Sequence, residues 1–139
     1  MGYRLINPKA DIGIEVWGNS VKELFEESVR ALIDLYSINK KSVAETKEIT
    51  VSVEGIDLED LLVSVLNQVI FLVDAKKFIP IDVKVEKLND TKVTMTLKGE
   101  DYKEDKDYGI EREIKAATFH NLKIEKEGNL VKTRIIFDV

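Results

Sequence analysis

The stretch "LKIEKEGNLVKTRIIFDV", residues 122–139, contains two runs in which apolar and polar residues alternate, joined by Gly128 and Asn129. Alternation with a period of two is typical of a strand that has one buried face. A two-residue connection made of glycine and asparagine favours a tight hairpin turn. The spacing therefore predicts antiparallel strands over 122–127 and 130–139.

The turn also predicts which residues of the hairpin share a face. Ile124 should face Thr133, and Leu122 should face Ile135, because each step away from the turn pairs the next two residues. We expect the core face to contain Leu122, Ile124, Ile135 and Phe137. The other face should carry Lys132, Arg134, Ile136 and Asp138.

Periodicity in the rest of the chain predicts further strands and two main helices. Ser20 followed by Glu23 has the form of a capping box, and it precedes an amphipathic helix over 20–37. Asp57 can cap a second helix, whose few polar positions indicate that it is largely buried. Alternating segments predict the other strands, at 12–16, 49–53, 81–85 and 93–97. The expected fold is a single α+β domain over residues 1–139, with largely antiparallel sheets of about six strands packed with the two helices.

Composition excludes several classes of function. The chain has 139 residues, a formal net charge of −5 and no cysteine. Without cysteine there are no disulfides, thiolate zinc sites or cysteine nucleophiles. The acidic balance argues against direct contact with nucleic acid, which requires clustered lysine and arginine. No apolar run is long enough to span a membrane and no signal peptide is recognisable, so we expect a cytoplasmic protein with no membrane partner.

Few residues carry catalytic chemistry. The chain has one histidine, His120, which we expect to be packed and hydrogen bonded opposite Phe137. The acidic segment Gly99–Gly109 lacks the spacing of an EF-hand and is interpreted as a solvated charged loop. Lys115 lies in an otherwise apolar stretch, where it is either a structural lysine or a functional amine. Because no nucleophile is paired with a base, we do not expect an enzyme.

Acidic oxygens lie at the ends of two predicted strands. Asp11 precedes the strand that begins at Ile12, and Asp138 is followed only by Val139 and the chain's terminal carboxylate. Two negative oxygens at the terminus form a candidate site for a hard cation if a third carboxylate joins them. Asp11 is therefore either a solvated strand-entry residue or a member of a site whose other residues are distant in sequence.

Five blocks of the sequence together resemble the archease family, in the family's order. They are "KADIGIEVWGNS" at 9–20, "VKELFEES" at 21–28, "LLVSVLNQVIFLVD" at 61–74, "EIKAATFHNLKIEKEG" at 113–128 and the terminal "IIFDV". The resemblance covers nearly the whole chain and implies the archease fold. It implies a non-catalytic activator of the RtcB-type RNA ligase of tRNA splicing, which promotes guanylylation and repeated turnover of that ligase. A second implied role is chaperone-like modulation of a tRNA methyltransferase.

The same resemblance implies a set of site residues. It implies a site for calcium or another divalent cation made of Asp11, Asp138 and Val139, and a partner-activating set of Asp11, Lys115 and Asp138. The sequence departs from the family pattern at Pro8 and Lys9, where archeases have His-Thr, and at Gln68, where they have Glu. We expect Lys9 to weaken calcium binding because its charge repels the ion.

Overall fold

The computed structural model of the chain describes residues 1–6 and 11–139, so Pro8 and Lys9 lie outside the described residues. The described part contains two α-helices, α1 (Val21–Leu35) and α2 (Leu58–Asp74). The strands are β1 (Gly2–Ile6), β2 (Ile12–Gly18), β3 (Lys47–Glu54), β4 (Phe78–Leu88), β5 (Lys92–Asp101), β6 (Ala116–Thr118), β7 (Glu125–Glu127) and β8 (Leu130–Asp138). The prediction of an α+β fold with antiparallel sheets is confirmed. The predicted number of strands was too low, because β1 and the three-residue β6 were not recognised.

Both helices begin where their capping residues predict. The Ser20 hydroxyl oxygen accepts a hydrogen bond from the Glu23 N–H at 3.1 Å, and the Glu23 carboxylate accepts one from the Asn19 N–H at 2.6 Å. Asp57 caps α2 by accepting the Asp60 N–H at 2.8 Å. Helix α1 ends two residues before the predicted end, because Ser37 has a φ of 60° and a left-handed residue cannot continue an α-helix.

The strands form two antiparallel sheets with the helices between them. In sheet A, β1, β2 and β8 lie side by side, and the far edge of β8 pairs with both β6 and β7. In sheet B the order is β3, β5, β4. Helix α1 contacts β2 of sheet A and β4 of sheet B, and α2 contacts β6 of sheet A and β3 and β4 of sheet B. The second helix is largely buried, as predicted.

The C-terminal hairpin follows its predicted turn and then departs from the predicted register. Glu127 pairs with Leu130 across Gly128, which has a φ of 62°. The first strand of the hairpin covers only Glu125–Glu127, rather than 122–127. Ile135 and Phe137 are buried and Asp138 is exposed, so the predicted faces of the second strand are confirmed.

His120 does not occupy its predicted position opposite Phe137. Six residues separate β6 from β7 along the chain. The residues of β8 that pair with β6 and those that pair with β7 are separated by only three. The extra residues form a turn, in which the Leu122 N–H donates to the Phe119 carbonyl at 3.0 Å and Asn121 has a φ of 55°. As a result, Ala117 faces Phe137. His120 is exposed, so the expectation of a packed histidine was wrong.

The acidic segment Gly99–Gly109 is not simply a solvated loop, as was expected. Glu100 has no exposed surface, and its carboxylate accepts hydrogen bonds from the Lys106 ammonium at 2.8 and 3.1 Å. The ammonium also donates to the Ser42 carbonyl at 3.1 Å. The Tyr108 ring is buried, and its hydroxyl accepts the Lys103 N–H at 3.1 Å. The segment therefore folds over the buried carboxylate of Glu100, which is paired with the partly exposed Lys106.

Candidate functional site at the strand ends of sheet A

Three segments that are distant in sequence meet at one end of sheet A. Ile12, the first residue of β2, pairs with Phe137 of β8. Asp11 directly precedes Ile12, so continuing this antiparallel register places Asp11 beside Asp138. On the other side of β8, Ala116 pairs with Asp138, and the Lys115 N–H donates to the Asp138 carbonyl at 2.8 Å. The fold therefore brings Asp11, Lys115 and Asp138 to adjacent strand ends.

These three side chains are exposed, although their neighbours belong to the core. Ile12 is 7% exposed and Phe137 is fully buried, whereas Asp11, Asp138 and Lys115 are all exposed. Alternation along β2 and β8 sends the aspartates away from the core, because successive side chains of a strand point to opposite faces. Two carboxylates and an ammonium are thus available to an ion or a partner protein.

The donor chemistry of this strand end suits a hard cation. The carboxylates of Asp11 and Asp138 are oxygen donors, which calcium and magnesium prefer. Across residues 1–6 and 11–139, no three Asp, Glu, His or Cys side chains lie close enough together to hold a metal ion. A cation at this position would therefore need an oxygen ligand besides the side chains of Asp11 and Asp138.

Asn67 of α2 fixes the position of β6 next to this site. Its side-chain oxygen accepts the Ala117 N–H at 2.8 Å, and its side-chain nitrogen donates to the Ala117 carbonyl at 3.3 Å. The amide therefore bonds the backbone of β6, two residues after Lys115. Sequence analysis did not assign this role to Asn67. The available signal was a polar residue within an otherwise apolar helix.

An ion-pair row lies further along the outward face of sheet A. Arg4, Glu15 and Arg134 are directly opposite one another on β1, β2 and β8. Glu15 is 3.0 Å from Arg4 and 3.3 Å from Arg134, and it is 9% exposed. The charge of this carboxylate is therefore compensated by two guanidinium groups within the sheet.

Comparison with known proteins identifies the family to which this chain belongs. The model of the archease protein family matches residues 3–139. The chain belongs to the archease family. None of the helices in the described ranges of this family member is both long and apolar enough to cross a membrane.

Relatives and solved structures agree with the family assignment. The chain is 37% identical over 120 residues to protein archease of Pyrococcus furiosus, covering 84% of this chain and 83% of that one. It is 30% identical over 141 residues to protein archease of Archaeoglobus fulgidus, with both chains covered completely. The solution structure of Methanobacterium thermoautotrophicum protein 1598 has a TM-score of 0.80 and 27% identity, with 99% of each chain covered.

A crystal structure from Thermotoga maritima, described as an archease and possible chaperone, matches with a TM-score of 0.70 and 29% identity. That match covers 96% of this chain and 94% of the other. The archease fold implied by the sequence blocks is therefore confirmed.

Proposed function

We propose that this archease-family chain is a non-catalytic activator of an RtcB-type RNA ligase and that its strand-end site contacts the ligase. The observation that carries the proposal is the meeting of Asp11, Lys115 and Asp138 on three adjacent strand ends, with all three side chains exposed. Carboxylates presented to the ligase would help to place its metal or nucleotide while charge develops during guanylylation. Lys115 would contact phosphate or a carboxylate of the same complex.

We further propose that Asp11, Asp138 and the Val139 carboxylate hold calcium or a similar cation. When bound, such an ion would neutralise the carboxylates and orient the strand end. Lys9 then weakens binding by about 1 kcal/mol, the scale for a solvent-screened pair of charges. Calorimetry tests this proposal, because Pro8→His with Lys9→Thr should tighten calcium binding and Asp138→Ala should abolish it. Equal affinity in all three proteins would exclude the site.

The activation itself is tested by single-turnover formation of the ligase–GMP adduct. Adding the wild-type chain to its cognate ligase should raise the rate, and Asp11→Asn, Lys115→Met and Asp138→Asn should each reduce that effect. Matched controls are Glu125→Gln and Lys126→Met, which change exposed charges on β7, away from this strand end. Identical rates with and without the wild-type chain would contradict the proposal, as would equal losses in the controls.

The role of Asn67 is positioning, because it contacts the backbone of β6 and not a substrate. Asn67→Leu should lower the activation rate while leaving the binding of the ligase within a few-fold of wild type. Asn67→Asp should retain one of the two hydrogen bonds, since a carboxylate can still accept the Ala117 N–H. Partial recovery of activation in Asn67→Asp would distinguish positioning from a general loss of folding.

A second function is supported by the Thermotoga maritima relative, which is described as a possible chaperone. In that function the chain would modulate a tRNA methyltransferase or another RNA-processing protein. Exposed apolar side chains such as Phe119, 57% exposed, and Ile56, 85% exposed, could contact such a client. Suppression of aggregation of the methyltransferase, in the absence of any ligase, would favour this function. Loss of that suppression in Phe119→Ser, with Asp138→Asn unaffected, would separate it from ligase activation.

A further inference from the structure

A cavity of about 560 Å³ lies on a part of the molecule that the strand-end site does not use. It is bounded by the C-terminal ends of α1 and α2, by the beginning of β4 and by the segment 110–113. Its size is within the range of pockets that bind small molecules. Both polar and apolar side chains line it, so it differs from a void in the core.

The hydroxyl of Tyr36 is buried in the wall of this cavity without a hydrogen-bond partner. Tyr36 is 1% exposed, and its oxygen is the one buried side-chain polar atom of the described residues that lacks a partner. Leaving a buried hydroxyl unpaired costs free energy, and native proteins rarely tolerate it. Burial raises the pKa of Tyr36, and the charges of Asp74 and Glu113 raise it further. Asp74 and Glu113 line the same cavity as Tyr36.

The negative charge of these two carboxylates is incompletely compensated. Burial raises the pKa of Asp74, the charge of Glu113 raises it further, and Lys77 opposes the shift. Within residues 1–6 and 11–139, no ion pair within 4.0 Å involves Asp74, Glu113, Lys77 or Arg112, although all four line the cavity. The lining carries three carboxylates, those of Asp74, Glu111 and Glu113, all of them exposed, and two cations, Lys77 and Arg112, so a ligand with one positive charge would balance it.

The walls favour an organic cation over a metal ion. Lys77 and Arg112 also line the cavity, and both would repel a divalent ion more strongly than a monovalent one. Ile79 and Ile110 are apolar, and Tyr102 adds an aromatic surface. Ile110 and Tyr102 are 39% and 46% exposed, so a ligand in the cavity would cover apolar surface that is now in contact with water.

We propose that this cavity binds a small primary amine whose ammonium group lies between Asp74 and Glu113. Two of its N–H groups would donate to the carboxylates and the third to the Tyr36 oxygen, which gives the hydroxyl its partner. The carbon portion would pack against Ile79, Ile110 and Tyr102. This site is distinct from the strand-end site, because it shares none of the side chains Asp11, Lys115 and Asp138.

The test measures binding of phenethylamine to the full chain by amide chemical-shift titration. Two isosteric probes serve as comparisons, neutral 2-phenylethanol and anionic 3-phenylpropionate. We expect phenethylamine to bind in preference to both, with the largest shifts in the segment 110–113 and at the end of α2. Equal affinity for the amine and the alcohol would overturn the proposal, and so would shifts confined to other regions or the absence of binding at millimolar concentration.

Substitutions in the cavity wall test which side chains contact the amine. Asp74→Asn and Glu113→Gln should each weaken amine binding about tenfold, the scale of one charge-assisted hydrogen bond. Tyr36→Phe should weaken it less, while leaving the fold intact because it removes an unpaired hydroxyl. Lys77→Met should tighten binding by removing a like charge, which a merely structural role of Asp74 would not predict. Asp101→Asn is the matched control, because this exposed carboxylate pairs with Lys47 and does not line the cavity. If Asp74→Asn and Asp101→Asn had the same effect, the proposal would be wrong.

Discussion

Glu100 and Asp138 are both carboxylates near the end of a strand, yet the fold treats their charges in opposite ways. Glu100 of β5 has no exposed surface and accepts two hydrogen bonds from Lys106, at 2.8 and 3.1 Å. Asp138 of β8 is exposed and lies next to Asp11 in the extended register. Burying a charge is costly unless the charge is paired and hydrogen bonded. The first carboxylate therefore stabilises the fold, whereas the second remains available to a ligand.

The largest expected effect comes from removing the partner of the buried carboxylate. Lys106→Met would leave the buried Glu100 with only the more distant ammonium of Lys103, at 3.8 Å, which is more damaging than the loss of an exposed pair. The matched control is Lys132→Met, which removes a 3.1 Å ion pair with Glu127, a carboxylate that is 74% exposed. Chemical denaturation should show a loss of at most about 1 kcal/mol in the control and a loss several times larger in Lys106→Met. Equal losses would mean that the burial of Glu100 does not matter.

The free energy of unfolding at acidic pH should depend on the same ion pair. Hydrogen bonding from Lys106 lowers the pKa of Glu100, against an opposing effect of burial. Because the folded pKa is below the unfolded value, the stabilisation is complete above the unfolded pKa and is lost as the pH falls through the folded pKa. The difference in unfolding free energy between wild type and Glu100→Gln should therefore shrink as the pH falls below the ordinary glutamate pKa of 4.5. A difference that stays constant as the pH falls would contradict the lowered pKa.

The expected contribution of Glu15 to stability is intermediate between those of Glu100 and Asp138. It is 9% exposed and is shared by Arg4 and Arg134, whose side chains are each 65% exposed. Glu15→Gln should cost about 1 kcal/mol, because solvent screens both guanidinium groups but the carboxylate itself is shielded. Arg4→Met and Arg134→Met should each cost less than Glu15→Gln, since the remaining arginine still compensates the carboxylate. Unfolding in 1 M salt should reduce all three losses, and insensitivity to salt would indicate packing as their cause.

The comparison also explains what the sequence could predict. Local periodicity and capping residues predicted α1, α2 and the alternation that leaves Asp138 exposed, because each depends on neighbouring residues. The buried pair of Glu100 with Lys106 was missed, because composition alone cannot distinguish an exposed acidic loop from one that folds over its own carboxylate. His120 was misplaced for a similar reason. A turn stabilised by the left-handed Asn121 changes the register, and nothing in the alternation of residues 122–127 indicates that turn.

The strand-end site was predicted only in part. Asp138 and Val139 are adjacent in sequence, so their proximity follows from the chain itself. Asp11 and Lys115 join them only through pairing of β2 and β6 with β8, which is a long-range property of the sheet. Tyr36 follows the end of α1, Asp74 ends α2 and Glu113 lies between β5 and β6, and no spacing along the chain connects them. Both candidate sites are therefore products of tertiary structure, with the resemblance to archeases indicating only the first.

Replacing the exposed carboxylates should have the smallest effect on stability. This prediction tests the difference between Asp138 and the buried Glu100 most directly. Asp11→Asn and Asp138→Asn should change the free energy of unfolding by no more than about 0.5 kcal/mol without calcium, because exposed side chains without a structural role contribute little. With calcium at 100 times its dissociation constant, the wild type should gain about 2.7 kcal/mol through preferential binding to the folded state. Neither variant should gain as much, since each removes one of three proposed ligands. Glu125→Gln is the control and should respond to calcium as the wild type does. If calcium stabilises all four proteins equally, the ion binds elsewhere, and the strand-end carboxylates are left with contact to the ligase as their proposed role.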